Sequence, residues 1–135
     1  MLIFITSTIY FFDRIVEDIK ERELSAVKRY GKFLEYISTS SESDIVNIFV
    51  EDILIDNKII PVIITDDKFN IIEYKNLNEI KVKNDSLYLN SVLEKMKTQY
   101  EPIIVNLNNE NIEKNQFIFF KNSYILDLII LAPYF

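Results

Sequence analysis

The stretch from Ile60 to Asn76, IPVIITDDKFNIIEYKN, leaves little freedom of local structure. Two runs rich in β-branched and aromatic residues, Ile60–Thr65 and Ile71–Lys75, flank the polar segment Asp66-Asp67-Lys68-Phe69-Asn70. Val62 and Ile64 alternate with Ile63 and Thr65, and Ile72 and Tyr74 alternate with Ile71 and Glu73. Residues of this kind on either side of a turn predict a β-hairpin over residues 60–75. Pro61 stands at the start of the first strand, where its missing N–H is tolerated.

The rest of the chain is arranged around that hairpin. Ile9, Phe12, Val16, Ile19, Ala26, Tyr30, Phe33 and Ile37 recur at steps of three and four, interrupted by Glu23. Ile15, Val27 and Leu34 widen the stripe to the width of a core-facing helix, predicted over residues 13–38, with Gly31 as its weak point. Such a stripe serves equally as the cover of a sheet or as a dimer seam. Ser38 to Ser43 prefer caps and turns and break the helix, and a second helix is predicted over residues 43–55. Residues 76–84 read as polar and irregular. Leu89, Val92, Leu93, Met96 and Tyr100 form one face of a helix over residues 85–100, closed by Pro102. A second hairpin over residues 103–121 has Asn108 to Asn115, rich in turn formers, as its loop. The expected fold is α+β: a long N-terminal helix plus a small antiparallel sheet of about four strands, with helices on one face.

At 135 residues the chain is the size of one domain. Both ends are apolar. MLIFITSTIYFF carries no charge, yet is shorter than the ~20 residues that span a bilayer, and it lacks the features of a signal peptide. LIILAPYF is apolar to its last residue. Either these are buried core segments, or residues 1–12 end one transmembrane helix and residues 128–135 begin another. The second reading makes residues 13–127 an extracytoplasmic domain, and it is the expectation adopted.

Composition excludes several chemistries. The chain has no histidine, no cysteine and a single glycine. It cannot build a Ser-His-Asp or Cys-His site, a thiolate metal centre, a disulfide, a phosphate-binding glycine loop or a dinucleotide fingerprint. A formal charge of −6 argues against a nucleic-acid partner. Asp66-Asp67 lacks the further oxygen ligands and the glycine of a calcium loop, and reads as a solvated turn. Glu51, Asp52 and Asp56 read as a solvated helix face. No catalytic residue, metal or cofactor is expected. The aromatics Tyr74, Tyr88, Tyr100, Phe117, Phe119 and Phe120 suit a core first and a pocket second. Thr65, Tyr74 and Asn76 are the candidate ligand-binding residues. Ile9, Phe12, Val16, Ile19, Tyr30, Phe33 and Ile37 are the candidate dimer and signalling seam.

IPVIITDDKFNIIEYKN, then YLNSVLEKMKTQYEPIIV, then NQFIFFKNSYILDLIILAPYF resemble, in that order, the sensory region of membrane sensor histidine kinases of Bacteroidetes-type bacteria. Pro61, Val62, Thr65, Asp66, Asn70 and Ile71 fit the family's hairpin. Tyr88, Leu89, Leu93, Met96, Lys97 and Pro102 fit its helix, and Gln116, Ile118, Phe119, Phe120, Ser123, Pro133 and Tyr134 fit its last strand and exit helix. Phe69 and Asn122 stand where the family's pattern has glycine, which at position 69 argues against a left-handed residue. The resemblance implies a PAS-like input domain in the inner membrane, its sensor portion periplasmic. It also implies a homodimer, a small molecule or envelope protein as signal, and no enzyme activity of its own, the kinase core lying elsewhere in the parent protein. The rival readings are a soluble α+β structural or interaction domain with buried ends, and a small enzyme built on carboxylates.

Overall fold

The computed structural model describes residues 2–39, 60–109 and 112–132. In chain order these form α1 (Leu2–Thr39), β1 (Val62–Thr65), β2 (Ile71–Lys75), α2 (Glu79–Asn84), α3 (Tyr88–Gln99), β3 (Ile103–Asn109), β4 (Ile112–Phe120) and α4 (Tyr124–Leu131). The class is α+β, and the four strands make one antiparallel sheet in the order β2-β1-β4-β3. Two local hairpins are therefore joined through β1 and β4, with Val62 opposite Phe120 and Thr65 opposite Phe117. The helix expected over residues 43–55 lies outside the described residues.

The helices cover both faces of the sheet, not one. Every residue of β1 is buried, so both parities of the strand need an apolar partner. On one face Val62, Ile64, Val105, Ile118 and Phe120 pack with Ala26, Val27 and Tyr30 of α1. On the other, Ile63 and Phe119 pack with Val92, Leu93 and Met96 of α3. Each fully buried aliphatic side chain contributes about 1.5–3 kcal/mol. Periodicity identified each apolar stripe but could not say which face of the sheet it would cover.

Gly31 lets α1 lie close to the sheet. A Cβ there would come 3.2 Å from Ile103 Cγ2 and 3.4 Å from Ile118 Cδ1. The residue that weakens the helix in isolation thus sets the spacing of helix and sheet. Gly31→Val should cost about 1–3 kcal/mol by overpacking, read as a lower urea midpoint. Gly31→Ala should be close to neutral, since about 1 kcal/mol of helix propensity offsets the tight contact.

Three local expectations change. Residues 79–84 form a short helix, α2, because the Asn78 side chain caps it by accepting from the N–H groups of Ile80 and Lys81. Six residues carry too little periodicity to announce a helix. The predicted loop Asn108–Asn115 is mostly strand: Asn106 pairs with Asn115, Leu107 with Lys114, Asn108 with Glu113 and Asn109 with Ile112. Ladder hydrogen bonds come from the backbone, so turn-forming side chains do not prevent pairing. Phe69, finally, is left-handed with φ 65° despite its side chain. That conformation costs roughly 1–2 kcal/mol for a residue with a Cβ.

Asp66 holds the turn that demands it. Its Oδ1 accepts from the N–H groups of Lys68 (2.9 Å) and Asn70 (2.8 Å), and its Oδ2 accepts from the Asn70 side-chain amide at 3.1 Å. The Asn70 backbone N–H is the main reason its carboxyl sits below the ordinary value; partial desolvation opposes this, and the Asn70 amide and Lys68 add to it. The folded state therefore favours the ionised form. Its contribution to stability is fully present above the unfolded value, 3.8, and is lost as the pH falls from there through the lower folded value. Asp66→Asn should flatten the acid limb of a stability-against-pH curve and lower the plateau above it.

Candidate functional site

Of the buried polar side chains among the described residues, Glu23, Asn122 and Ser123 meet at one junction, where α1, the end of α3 and the start of α4 come together, while Thr65 lies apart on β1. Ser123 caps α4, its Oγ accepting from the N–H of Leu126 at 3.2 Å. A serine ahead of the apolar run YILDLIIL is the local sequence reason that a helix begins there. Glu23 of α1 reaches the same residue. Its Oε1 accepts from the Ser123 N–H at 2.9 Å and its Oε2 from the Ser123 hydroxyl at 2.6 Å. Both residues are buried. A charged side chain in an apolar stripe is tolerated only with such partners.

The residue before the cap is held with equal care. The Asn122 N–H donates to Gln99 Oε1 at 2.9 Å, and its side-chain oxygen accepts from the Tyr100 hydroxyl. Tyr100 also stacks on Phe120, ring centroids 4.7 Å apart and 6° from parallel. Desolvation, then the charges of Glu23, Asp127 and Glu17, push the Tyr100 hydroxyl pKa up, so it stays a donor. Asn122 does not adopt a positive φ. Its side-chain oxygen and its backbone N–H, not a left-handed conformation, are what the junction uses.

The sequence-predicted site residues do not converge. Thr65 is fully buried on the α3 face, its hydroxyl donating to the carbonyl of Asp66 at 3.0 Å. Tyr74 lies on that face opposite Ile63, and its hydroxyl donates to Glu79 Oε2 at 2.9 Å, which raises its pKa. Asn76 leaves the strand with φ 60° and donates from its side chain to the carbonyl of Ile60 at 2.8 Å. Its parity with Tyr74 is broken by that left-handed backbone.

The seam is divided between two environments. Tyr30 is buried against the sheet, under Lys75, whose Nζ lies 5.0 Å from the ring centroid. It belongs to the core and is not open to a partner. Phe33, Ile19, Val16 and Phe12 are half-buried and Ile9 is exposed, while the side chain of Ile37 lies outside the described residues. Toward its start α1 presents Ile3 (82% exposed), Phe4 (80%), Ile5, Tyr10 and Phe11 (67%). On α4, Tyr124, Ile125, Leu128 and Leu131 are exposed and Leu126 is buried. No helix among the described residues is long and apolar enough to cross a membrane, and no group of three or more acidic residues among them could hold a metal ion.

In the sequence Glu23 reads only as a break in an apolar stripe and Asn122 only as a residue in place of glycine, and neither is marked there as part of a buried junction. The signal for Glu23 was present: a carboxyl in the middle of an apolar helical stripe implies a buried donor elsewhere. No protein-family model, no curated protein and no solved structure matches the chain.

Proposed function

We propose that this chain is the sensory input domain of a two-component sensor histidine kinase, PAS-like and extracytoplasmic, with α1 and α4 continuing toward membrane-spanning segments. The observation that carries the reading is the exposed apolar surface from Ile3 to Phe11 on the same unbroken helix that covers the sheet. An apolar run of that size calls for an apolar neighbour, lipid or protein. The reading of residues 1–12 as buried core requires those same side chains to be inside. Further support comes from the Glu23–Ser123 junction, which ties the incoming helix to the outgoing one, and from the ordered resemblance of residues 60–135 to that kinase family. In this reading α1 and α4 relay a change in the packing of the domain. The domain works as a dimer through the half-exposed part of the seam, Ile9 to Ile19.

The test uses the absence of native cysteine in this stretch. Asp67→Cys, at an exposed turn position, is placed in the full-length parent protein in living cells and offered a maleimide that cannot cross membranes. Labelling of the introduced thiol in intact cells, with the protein in the membrane fraction, is the expected result. Labelling only after lysis would overturn the extracytoplasmic assignment.

A further inference from the structure

From Ile3 to Phe11 every residue of α1 is exposed and none carries a charge. Successive residues of a helix point about 100° apart. Ile3, Phe4 and Ile5 therefore face three directions, and Ile9, Tyr10 and Phe11 do so again farther along. The stretch is apolar all round, unlike the one-sided stripe that the same helix lays on the sheet.

The polar side chains within this stretch are satisfied by the helix itself. The Thr6 hydroxyl donates to the carbonyl of Ile3 at 3.1 Å, Ser7 to that of Phe4 at 3.3 Å and Thr8 to that of Phe4 at 2.7 Å. Hydroxyls turned back onto their own helix suit hydrocarbon surroundings, where no water can serve them. The change of character beyond is abrupt. Asp13 and Arg14 are the first charges, and seven of the ten residues from Asp13 to Arg22 are charged. At that step the Arg14 guanidinium reaches back one turn and its Nη1 donates to the Tyr10 hydroxyl at 3.3 Å. A tyrosine and a long cation are the side chains that settle at a membrane–water boundary.

We propose that a lipid bilayer, not a protein, surrounds the start of α1, and that its headgroup layer meets the helix between Tyr10 and Arg14. A second copy along the seam would cover one side only. The stretch from Ile3 to Phe11 is about 13 Å of helix, too little for the ~1,200–2,000 Å² of a stable protein interface, and its other faces would stay in water. A helix lying flat on a membrane keeps a charged face, which this stretch lacks, so it enters end-on. Glu23, nine residues past Arg14, then stands about 14 Å above the headgroups. The proposal rests on the membrane part of the reading above and needs neither a kinase nor a signal.

The chain has no tryptophan, so a single tryptophan placed on α1 reports its own surroundings. Ile3→Trp, Phe4→Trp, Ile5→Trp, Tyr10→Trp and Asp18→Trp, all at exposed positions, leave the core untouched. Each variant of the whole chain is reconstituted into phosphatidylcholine vesicles whose acyl chains carry bromine either near the headgroup or near the bilayer centre. Emission from positions 3, 4 and 5 should fall about twofold or more on all three faces, most with the deep bromines. Tyr10→Trp, about 9 Å nearer the water than position 4, should respond chiefly to the shallow bromines, and Asp18→Trp to neither. Quenching at none of positions 3, 4 and 5 means a protein neighbour, quenching on one face alone means a helix lying flat, and quenching at position 18 as strong as at position 4 means a misplaced boundary; each overturns the proposal. Maleimide labelling in intact cells without quenching here would keep the extracytoplasmic assignment and give the start of α1 to a protein. Quenching without labelling would keep the bilayer and overturn that assignment.

Discussion

Glu23→Ala is expected to remove about 3 kcal/mol of stability, because it strands two buried donors on Ser123 at once. The loss should be largest locally. With its cap no longer held by α1, α4 should exchange the amide hydrogens of Leu126 and Asp127 faster than the amides of β4. Ser123→Ala alone should cost about 1 kcal/mol, as is usual for a lost N-cap. The double variant should cost clearly less than the sum, since both substitutions remove the same contact. Additive losses in urea unfolding would mean that Glu23 stabilises α1 by some other route. In the sensor reading, the same substitution uncouples the two terminal helices while leaving the sheet intact.

Ile118→Ala should be costlier still, about 3–4 kcal/mol. Ile118 is fully buried on a central strand, opposite Ile103, with its Cδ1 near the backbone of Gly31. The contact is close because Gly31 has no side chain that could swing into the void, so the cavity would collapse poorly. Ile118→Val, which removes one methyl group, should cost about 1 kcal/mol. Thermal or urea unfolding of the pair checks both numbers. A loss for alanine no larger than that for valine would mean that α1 settles onto the sheet.

Much of this is legible in the sequence. The hairpins declared themselves through β-branched runs around polar turns, and α1 and α3 through their apolar stripes, because those signals are local. The sides of the sheet that the helices take were not legible, since two stripes of similar composition fit either face. Three residues at the turns and junction escaped for a different reason. Phe69 adopts a left-handed backbone that its side chain disfavours, and Asn76 one that asparagine tolerates but that its strand pattern does not announce; both are sustained by contacts that a sequence does not display. Asn122 stands in the place of a glycine in the family's pattern, whereas its use here is a side-chain oxygen that accepts from Tyr100, beside a backbone N–H given to Gln99. Thr65, Tyr74 and Asn76, the candidate ligand-binding residues, are each engaged by a neighbour within the chain, and the sequence does not display those partners.

The strand order has a consequence for how the chain reaches this state. β1–β2 and β3–β4 are each closed by neighbours in sequence, so either hairpin can form within microseconds. Pairing of β1 with β4 brings together segments far apart along the chain, and only that event creates the two surfaces on which α1 and α3 settle. Assembly should therefore be limited by a single non-local search, slower than for a helical bundle of this length. Until it succeeds, both apolar stripes and the apolar start of α1 face the solvent together, the interval in which the chain is most exposed to aggregation.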